Sequence, residues 1–221
     1  MPGRSEIARL IDHTLLRATA TEEDVRKHCE DAKRYCFASA CVGQCYVRLA
    51  RDLLEGSSVK VDTVVGFPLG ANTLESKRFE VLDVTSKGAQ EVDFVMNVGL
   101  LKSGKFDYVE EEMRALSRVA HQKGALAKVI LETCYLTDGE KVRACLLAKA
   151  AGVDLVKTST GLGPGGATVH DVRLMRETVG ADVGVKASGG IRTLSSLMAM
   201  VQAGASRIGT SSGVQIIEGL E

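Results

Sequence analysis

The sequence lacks the features that mark several classes of protein. Its 28 basic and 28 acidic side chains leave no formal net charge at pH 7, so we expect neither nucleic-acid nor membrane-surface binding through bulk electrostatics. Its apolar runs are shorter than the roughly 18 residues of a membrane span. The N-terminal segment has no long apolar core of a secretory signal. A cytoplasmic location without a membrane segment is therefore predicted.

The six cysteines and four histidines form no recognisable metal or disulfide pattern. No Cys-x-x-Cys pair is present, and the histidines are scattered at positions 13, 28, 121 and 170. A chain of this length does not need disulfides to hold its core. We therefore expect reduced thiols, no structural metal and no bound cofactor.

Short apolar runs rich in β-branched residues alternate with helical patterns along the whole chain. The strand candidates are residues 36–42, 59–67, 91–98, 126–133, 153–160, 182–188 and 206–211, with residues 11–16 as an eighth. This order predicts an α/β protein, a single-domain (β/α)₈ barrel over residues 1–221. An open doubly wound sheet is the alternative, but no Gly-x-Gly-x-x-Gly follows the first strand.

Helix signals lie between these runs. Residues 105–123 place apolar side chains at intervals of three and four, which predicts an amphipathic helix. Thr137 and Glu140 form a capping-box pattern, and Gly152 is one of several glycines placed where a helix should end before the next strand.

Two lysines occupy matched positions in neighbouring strand candidates, Lys157 in DLVKTSTG and Lys186 in VGVKASGG. Near the C-terminal ends of barrel strands, inward side chains enter the mouth of the barrel. Only a neutral amine attacks a carbonyl. A second ammonium about 4 Å away would repel the first by roughly 4 kcal/mol, or about three pKa units. The pair predicts an amine nucleophile beside a cationic neighbour.

Other interpretations of these polar strand residues stay open. Each lysine could instead pair with a carboxylate or extend to the rim, and Lys128 could belong to the same cluster. Asp93, in an apolar run, is a candidate proton relay or a salt-bridge partner. Asp12 and His13 are expected near the same rim, in hydrogen bonding or in direct participation.

Glycines and hydroxyl residues follow the last three strand candidates. Gly161, Gly189, Gly190 and the segment from Gly209 to Gly213 bring main-chain N–H groups to the place where barrels often bind phosphate. The sequence therefore predicts a phosphate site beside the lysines.

Six motifs, in order over almost the whole chain, resemble the deoxyribose-phosphate aldolase family: IDHTLL, GFPLG, EVDFVMNVG, VKTSTG, VKASGGIRT and IGTSSG. The resemblance implies a Schiff base on Lys157, with Lys186 as the neighbour that lowers its pKa or donates a proton. It assigns proton relay to Asp93. The substrate contacts it implies are Asp12, Cys41, Thr158, Gly161, Gly189, Gly190, Gly209, Ser211 and Ser212.

The same resemblance implies a metal-free, class I reaction. It would reversibly cleave 2-deoxy-D-ribose 5-phosphate to D-glyceraldehyde 3-phosphate and acetaldehyde, in deoxynucleoside breakdown, and the enzyme would be a homodimer or homotetramer. Two alternatives remain at this point. One is a sugar-phosphate isomerase or another lyase that uses Asp93 for proton abstraction, and the other is a catalytically silent binder of phosphorylated metabolites. Cys41 is interpreted as a packed core thiol or as a reactive pocket residue.

Overall fold

The computed structural model describes residues 3–220. Within this range the strands are β1 (Ile11–Leu15), β2 (Ser39–Val42), β3 (Lys60–Val65), β4 (Glu91–Val95), β5 (Leu126–Ile130), β6 (Leu155–Lys157), β7 (Gly184–Ser188) and β8 (Arg207–Thr210). Each lies inside a predicted run. The runs are longer than the strands because residues at one or both ends of each run lie in the adjoining loops.

Helices separate the strands throughout. They are α1 (Arg4–Ala8), α2 (Glu22–Tyr35), α3 (Val47–Leu54), α4 (Leu74–Ser86), α5 (Val98–Lys102), α6 (Phe106–Gln122), α7 (Asp138–Ala151), α8 (Val169–Val179), α9 (Leu194–Gln202) and α10 (Gly213–Glu218). Short 3₁₀ turns cover Gln44–Tyr46 and Thr133–Tyr135. No helix among residues 3–220 combines the length and apolar character needed to cross a membrane.

The eight strands are all parallel and close into a barrel in sequence order, because β8 pairs with β1. This confirms the predicted (β/α)₈ barrel and excludes the open doubly wound sheet. Lys157 is directly opposite Lys186 across the β6–β7 pair. The matched sequence context of the two lysines therefore corresponds to adjacent positions in the sheet.

The helix boundaries follow the predicted signals. The Thr137 side chain accepts a hydrogen bond from the Glu140 main-chain N–H, and Glu140 in turn accepts one from the Thr137 N–H at 2.7 Å. Gly152 ends this helix with φ of 75°, a conformation that glycine adopts without steric cost. In α6 the apolar stripe is buried, including Val109, Met113 and Leu116.

Side chains alternate between two environments along each strand. On β4, Val92 and Phe94 belong to the apolar core between the sheet and the helices, whereas Glu91 and Asp93 are buried apart from it. Because successive strand residues face opposite sides, the second set lies inside the barrel. The interior of this barrel is therefore charged, and the apolar core surrounds it.

His13 lies on the outer side of β1, away from the mouth where the sequence placed it. Its ring stacks on that of His28 with centroids 4.2 Å apart, and it also lies 5.0 Å from the ring of Phe37. Burial lowers the pKa of His13 to about 4 and, helped by the neighbouring His13 ring, that of His28 to about 3. His13 thus has a structural role, since its strand register points it toward α2.

This pair predicts acid sensitivity. The pKa of a histidine in the unfolded chain is about 6.5, so below that pH the unfolded state binds protons that the folded pair refuses, and the free energy of unfolding falls. We expect His28→Leu to reduce the slope between pH 6.5 and pH 4 by about 1.4 kcal/mol per pH unit. Urea unfolding across this range measures it. Equal slopes in His28→Leu and in the unmodified protein would contradict the prediction.

Candidate active site

One continuous ionic network fills the barrel interior. Its members, among residues 3–220, are the carboxylates of Asp12, Asp62, Glu91 and Asp93 and the cations of Lys128, Lys157, Lys186 and Arg207. They come from seven of the eight strands. Buried charges are tolerated only when they are paired and hydrogen-bonded, and here the numbers of the two signs match.

Asp93 joins the three lysines. Its Oδ1 accepts a hydrogen bond from Lys128 Nζ at 2.8 Å, and its Oδ2 accepts from Lys157 Nζ and Lys186 Nζ, both at 2.6 Å. Burial alone would raise the pKa of Asp93, but the three ammonium groups outweigh it and hold that pKa well below the usual range. Asp93 is therefore a carboxylate placed between the two lysines of the matched motifs.

Lys186 is fully buried and bonded on several sides. Besides Asp93, its Nζ lies 2.6 Å from Asp12 Oδ2 and 3.1 Å from Asp62 Oδ2. Burial lowers its pKa, but these three carboxylates more than reverse that effect, so the pKa is raised. Lys186 is close to Lys157, as the sequence predicted. Much of its positive charge is compensated by these three carboxylates, however, which weakens the repulsion of Lys157 that the lysine motifs alone suggested.

Lys128 belongs to the same cluster, which the sequence left open. Its ammonium contacts the carboxylates of Glu91 at 2.6 Å, Asp62 at 3.1 Å and Asp12 at 3.7 Å. These three carboxylates lie close enough together to share one cation, and the lysine ammonium reaches all of them. Lys128 thus links the carboxylates of Asp12, Asp62 and Glu91.

Asp12 lies inside the network and away from the pocket lining, at variance with its expected place at the rim. It accepts hydrogen bonds from Ser39 Oγ at 2.7 Å and from Arg207 at 2.5 Å. Cys41, on the neighbouring strand, is fully buried, and burial followed by the negative charge of Asp62 raises its pKa well above the usual value. Its thiol is accordingly a packed interior group.

A pocket of about 380 Å³ opens at the mouth of the barrel above this network. Of the sequence-predicted residues, Lys157, Gly161, Gly189, Gly190, Gly209 and Ser211 line it. Lys157 is 3% exposed and Lys186 is fully buried. The pocket therefore meets the network at Lys157, with Lys186 one layer further in.

Close backbone packing forms the wall of the pocket beyond Lys157. Gly161, Gly189 and Gly190 have φ of 85°, 90° and 81°, values that residues with side chains rarely adopt. A Cβ added to Gly166 would lie 2.3 Å from the carbonyl oxygen of Gly189. Side chains are thus excluded where the loops after β6 and β7 meet, which leaves main-chain groups on the wall of the pocket.

Two predicted substrate contacts, Thr158 and Ser212, do not line the pocket. The Thr158 hydroxyl is buried and donates to the Ser188 carbonyl at 3.0 Å while accepting from the Ser188 N–H, so it ties β6 to β7. The Ser212 N–H donates to Thr210 Oγ1 at 2.9 Å. Both residues support the neighbouring segments.

The sequence reasoning missed several residues of the site. Asp62 and Glu91 share the signal that identified Asp93, an acid inside an apolar strand. Arg17 and Arg192 line the pocket, but one arginine in a loop carries no distinctive pattern. Glu132 has a left-handed backbone (φ 53°) and its buried carboxylate accepts hydrogen bonds from Thr160. It anchors the loop that follows Lys157, and no sequence signal marks it.

Comparison with known proteins identifies the family. Residues 7–219 match a family model described as DeoC/LacD family aldolase. The chain belongs to this aldolase family. The deoxyribose-phosphate aldolase of Geobacillus sp. strain WCH70 is 60% identical over 97% of this chain and 96% of its own length. That of Thermoanaerobacter pseudethanolicus is 57% identical over 96% of both chains.

A solved relative agrees in structure. The deoxyribose-phosphate aldolase from Aeropyrum pernix, described as having a tetrameric structure, superposes with a TM-score of 0.93 at 37% identity, over 98% of this chain and 92% of its own. The resemblance seen in the motifs is confirmed. The protein is an aldolase, and the isomerase and silent-binder alternatives lose their support.

The network makes a testable contribution to the stability of this aldolase. Lys128→Met leaves the surrounding carboxylates without their shared cation, and removal of one partner from a buried ion pair costs about 3–5 kcal/mol. We expect a loss of that size in the free energy of unfolding, measured by urea denaturation. Lys102→Met is the matched control, because its ion pair with Glu140 lies at the surface and should be worth less than about 1 kcal/mol. Similar losses in both variants would contradict the prediction.

Proposed function

We propose that this aldolase reversibly cleaves 2-deoxy-D-ribose 5-phosphate to D-glyceraldehyde 3-phosphate and acetaldehyde through a Schiff base on Lys157. One observation carries the proposal: Lys157 lines the pocket while its Nζ contacts the interior carboxylate of Asp93 at 2.6 Å. A substrate carbonyl in the pocket therefore has an amine within reach. The names of the closely similar relatives support the substrate.

The chemistry follows from the amine and its neighbours. Neutral Lys157 attacks the C1 carbonyl, and loss of water gives a cationic iminium, which accepts the electron pair of the C2–C3 bond as that bond breaks. The C3 hydroxyl loses its proton and becomes the aldehyde of glyceraldehyde 3-phosphate. The remaining two-carbon enamine takes up a proton and is hydrolysed to acetaldehyde, which regenerates the lysine.

Asp93 and Lys186 act on the protons in this scheme. The Asp93 carboxylate is hydrogen-bonded to the reacting nitrogen, so it can accept a proton during addition and return one during loss of water. Lys186 donates to the same oxygen of Asp93. It keeps that carboxylate oriented and supplies a positive charge close to the reacting nitrogen.

The far end of the pocket suits the substrate phosphate. Gly161, Gly189, Gly190, Gly209 and Ser211 line it, and barrels often hold a phosphate on main-chain groups after their last strands. Arg17 and Arg192 add positive charge at the rim. A dianionic phosphate therefore has both hydrogen-bond donors and cations on one side of the pocket.

Location and assembly remain predictions. The tetrameric description belongs to the Aeropyrum pernix relative, and it supports a homotetramer or homodimer here. A cytoplasmic enzyme of deoxynucleoside breakdown fits the proposed substrate.

Reductive trapping tests the Schiff base. The protein is mixed with acetaldehyde or deoxyribose 5-phosphate, reduced with borohydride and analysed by intact mass and peptide mapping. We expect one adduct on Lys157 and none in Lys157→Leu, with loss of cleavage activity. Exposed Lys123→Leu serves as the control and should retain both. Absence of an adduct in active, folded protein would overturn the mechanism.

A second prediction concerns the phosphate. Arg192→Ala should raise the KM for deoxyribose 5-phosphate roughly tenfold, which corresponds to about 1.4 kcal/mol, because a rim cation is lost. The KM for unphosphorylated deoxyribose should not change. Arg173→Ala, an exposed arginine on α8, controls for general effects of charge removal. An equal rise for both sugars would place the phosphate elsewhere.

A further inference from the structure

The reactive form of Lys157 creates a charge problem inside the barrel. With every member ionised, the network holds four carboxylates and four cations among the described residues. When Lys157 becomes a neutral amine, the buried network is left with one excess negative charge. An uncompensated buried charge is costly, so a proton taken up by one of the carboxylates would stabilise the reactive state.

Asp62 is the carboxylate best suited to carry that proton. Its side chain is fully buried, and its Oδ2 lies 3.1 Å from both Lys128 Nζ and Lys186 Nζ. Oδ1 is buried without a hydrogen-bond partner among residues 3–220. By contrast, Asp93 receives three lysine hydrogen bonds. Asp62 is therefore the more weakly compensated of the two acids.

A path of hydrogen bonds connects Lys157 with Asp62. Lys157 Nζ contacts Asp93 Oδ2 at 2.6 Å, the same oxygen contacts Lys186 Nζ at 2.6 Å, and Lys186 contacts Asp62 Oδ2 at 3.1 Å. A proton that leaves Lys157 for Asp93 can be taken by Lys186 as Lys186 releases one of its own to Asp62. One N–H bond is broken at Lys157, one O–H bond is formed at Asp62, and Lys186 ends as an ammonium.

The groups facing Asp62 from the other strands favour this arrangement. They are Asp12 of β1, Cys41 of β2, Glu91 and Asp93 of β4, Lys128 of β5 and Lys186 of β7. Lys157 of β6 and Arg207 of β8 belong to the same network through Asp93 and Glu91. Burial and the nearby Asp93 raise the pKa of Asp62 to about 6, although Lys128 and Lys186 oppose the rise. The neighbouring cations hold the pKa values of Asp12 and Asp93 low. The pKa of Asp62 is thus raised where those of Asp12 and Asp93 are lowered, and a raised pKa is what storage of a proton requires.

We infer that Asp62 stores the proton of Lys157 while that lysine is a free amine and returns it when the lysine becomes a cationic iminium. The inference rests on the proposed Schiff-base function. The balance is closed: amine, carbonyl and the proton held by Asp62 give iminium, water and ionised Asp62. Asp62 is a positioning residue in this scheme, because it acts on the reaction through Lys186 and Asp93.

Proton counting tests the inference on the unmodified enzyme. Acetaldehyde is added at a series of pH values from about 6.5 to about 8.5. At each pH the iminium on Lys157 is quantified by rapid borohydride reduction and mass spectrometry, which gives its apparent dissociation constant. We expect a constant that does not change with pH, because the required proton comes from inside the protein.

Asp62→Asn supplies the contrast. The amide keeps the shape of the side chain but cannot hold a proton, so an iminium formed from the neutral amine of Lys157 must take its proton from solvent. The apparent dissociation constant should then rise about tenfold per pH unit. Asp138→Asn, which removes a surface carboxylate outside the barrel, should behave as the unmodified enzyme does.

The outcomes are distinct. A flat profile for the unmodified enzyme with a steep one for Asp62→Asn supports the inference. Uptake of a solvent proton by the unmodified enzyme overturns it even if Asp62→Asn fails to fold, and parallel profiles in the two proteins overturn it as well. If no adduct forms on Lys157 at all, the proposed function fails together with the inference. If the unmodified enzyme forms the adduct on Lys157 but takes up a solvent proton as it does so, only the role of Asp62 is removed.

Discussion

The structure depends on the pairing of charges inside a closed barrel. Carboxylates and cations from seven strands meet where most barrels of this type place branched apolar side chains. None of these charges could be buried alone. Burial of Lys157 and orientation of Asp93 therefore rest on one set of contacts, and the surrounding apolar core supplies the remaining stability.

Much of the fold was predictable, because local patterns determine it. The alternation of apolar runs with capping boxes and terminal glycines places each strand, and the matched contexts of Lys157 and Lys186 predict their adjacency across β6 and β7. The bounds of β6 were less accurate. Its run continues to Thr160, but the strand ends at Lys157. The Thr158 side chain bonds to Ser188 at the end of β7, and the Thr160 side chain bonds to Glu132 in the loop after β5.

The candidate site was predictable only in part, for a physical reason. Lys157, Lys186 and Asp93 can be recognised from the sequence as charged residues in apolar strands. Which charge compensates which, however, depends on distances between strands that are far apart in sequence. Asp62 lies 124 residues from Lys186, and no local pattern records their contact. The same limit explains the wrong prediction for His13. The sequence did not determine which face of β1 this side chain occupies, and it points outward toward α2.

The charged network and the variable part of the pocket wall belong to different parts of the chain. The network lies on strands, whereas Leu162 and Arg192 lie on loops beyond them. Substitutions in those loops can alter which aldehydes or sugars fit without disturbing a buried charge. Selection for a new substrate can therefore explore the loop positions while the carbon–carbon bond chemistry is inherited intact, which makes this barrel well suited to divergence in specificity.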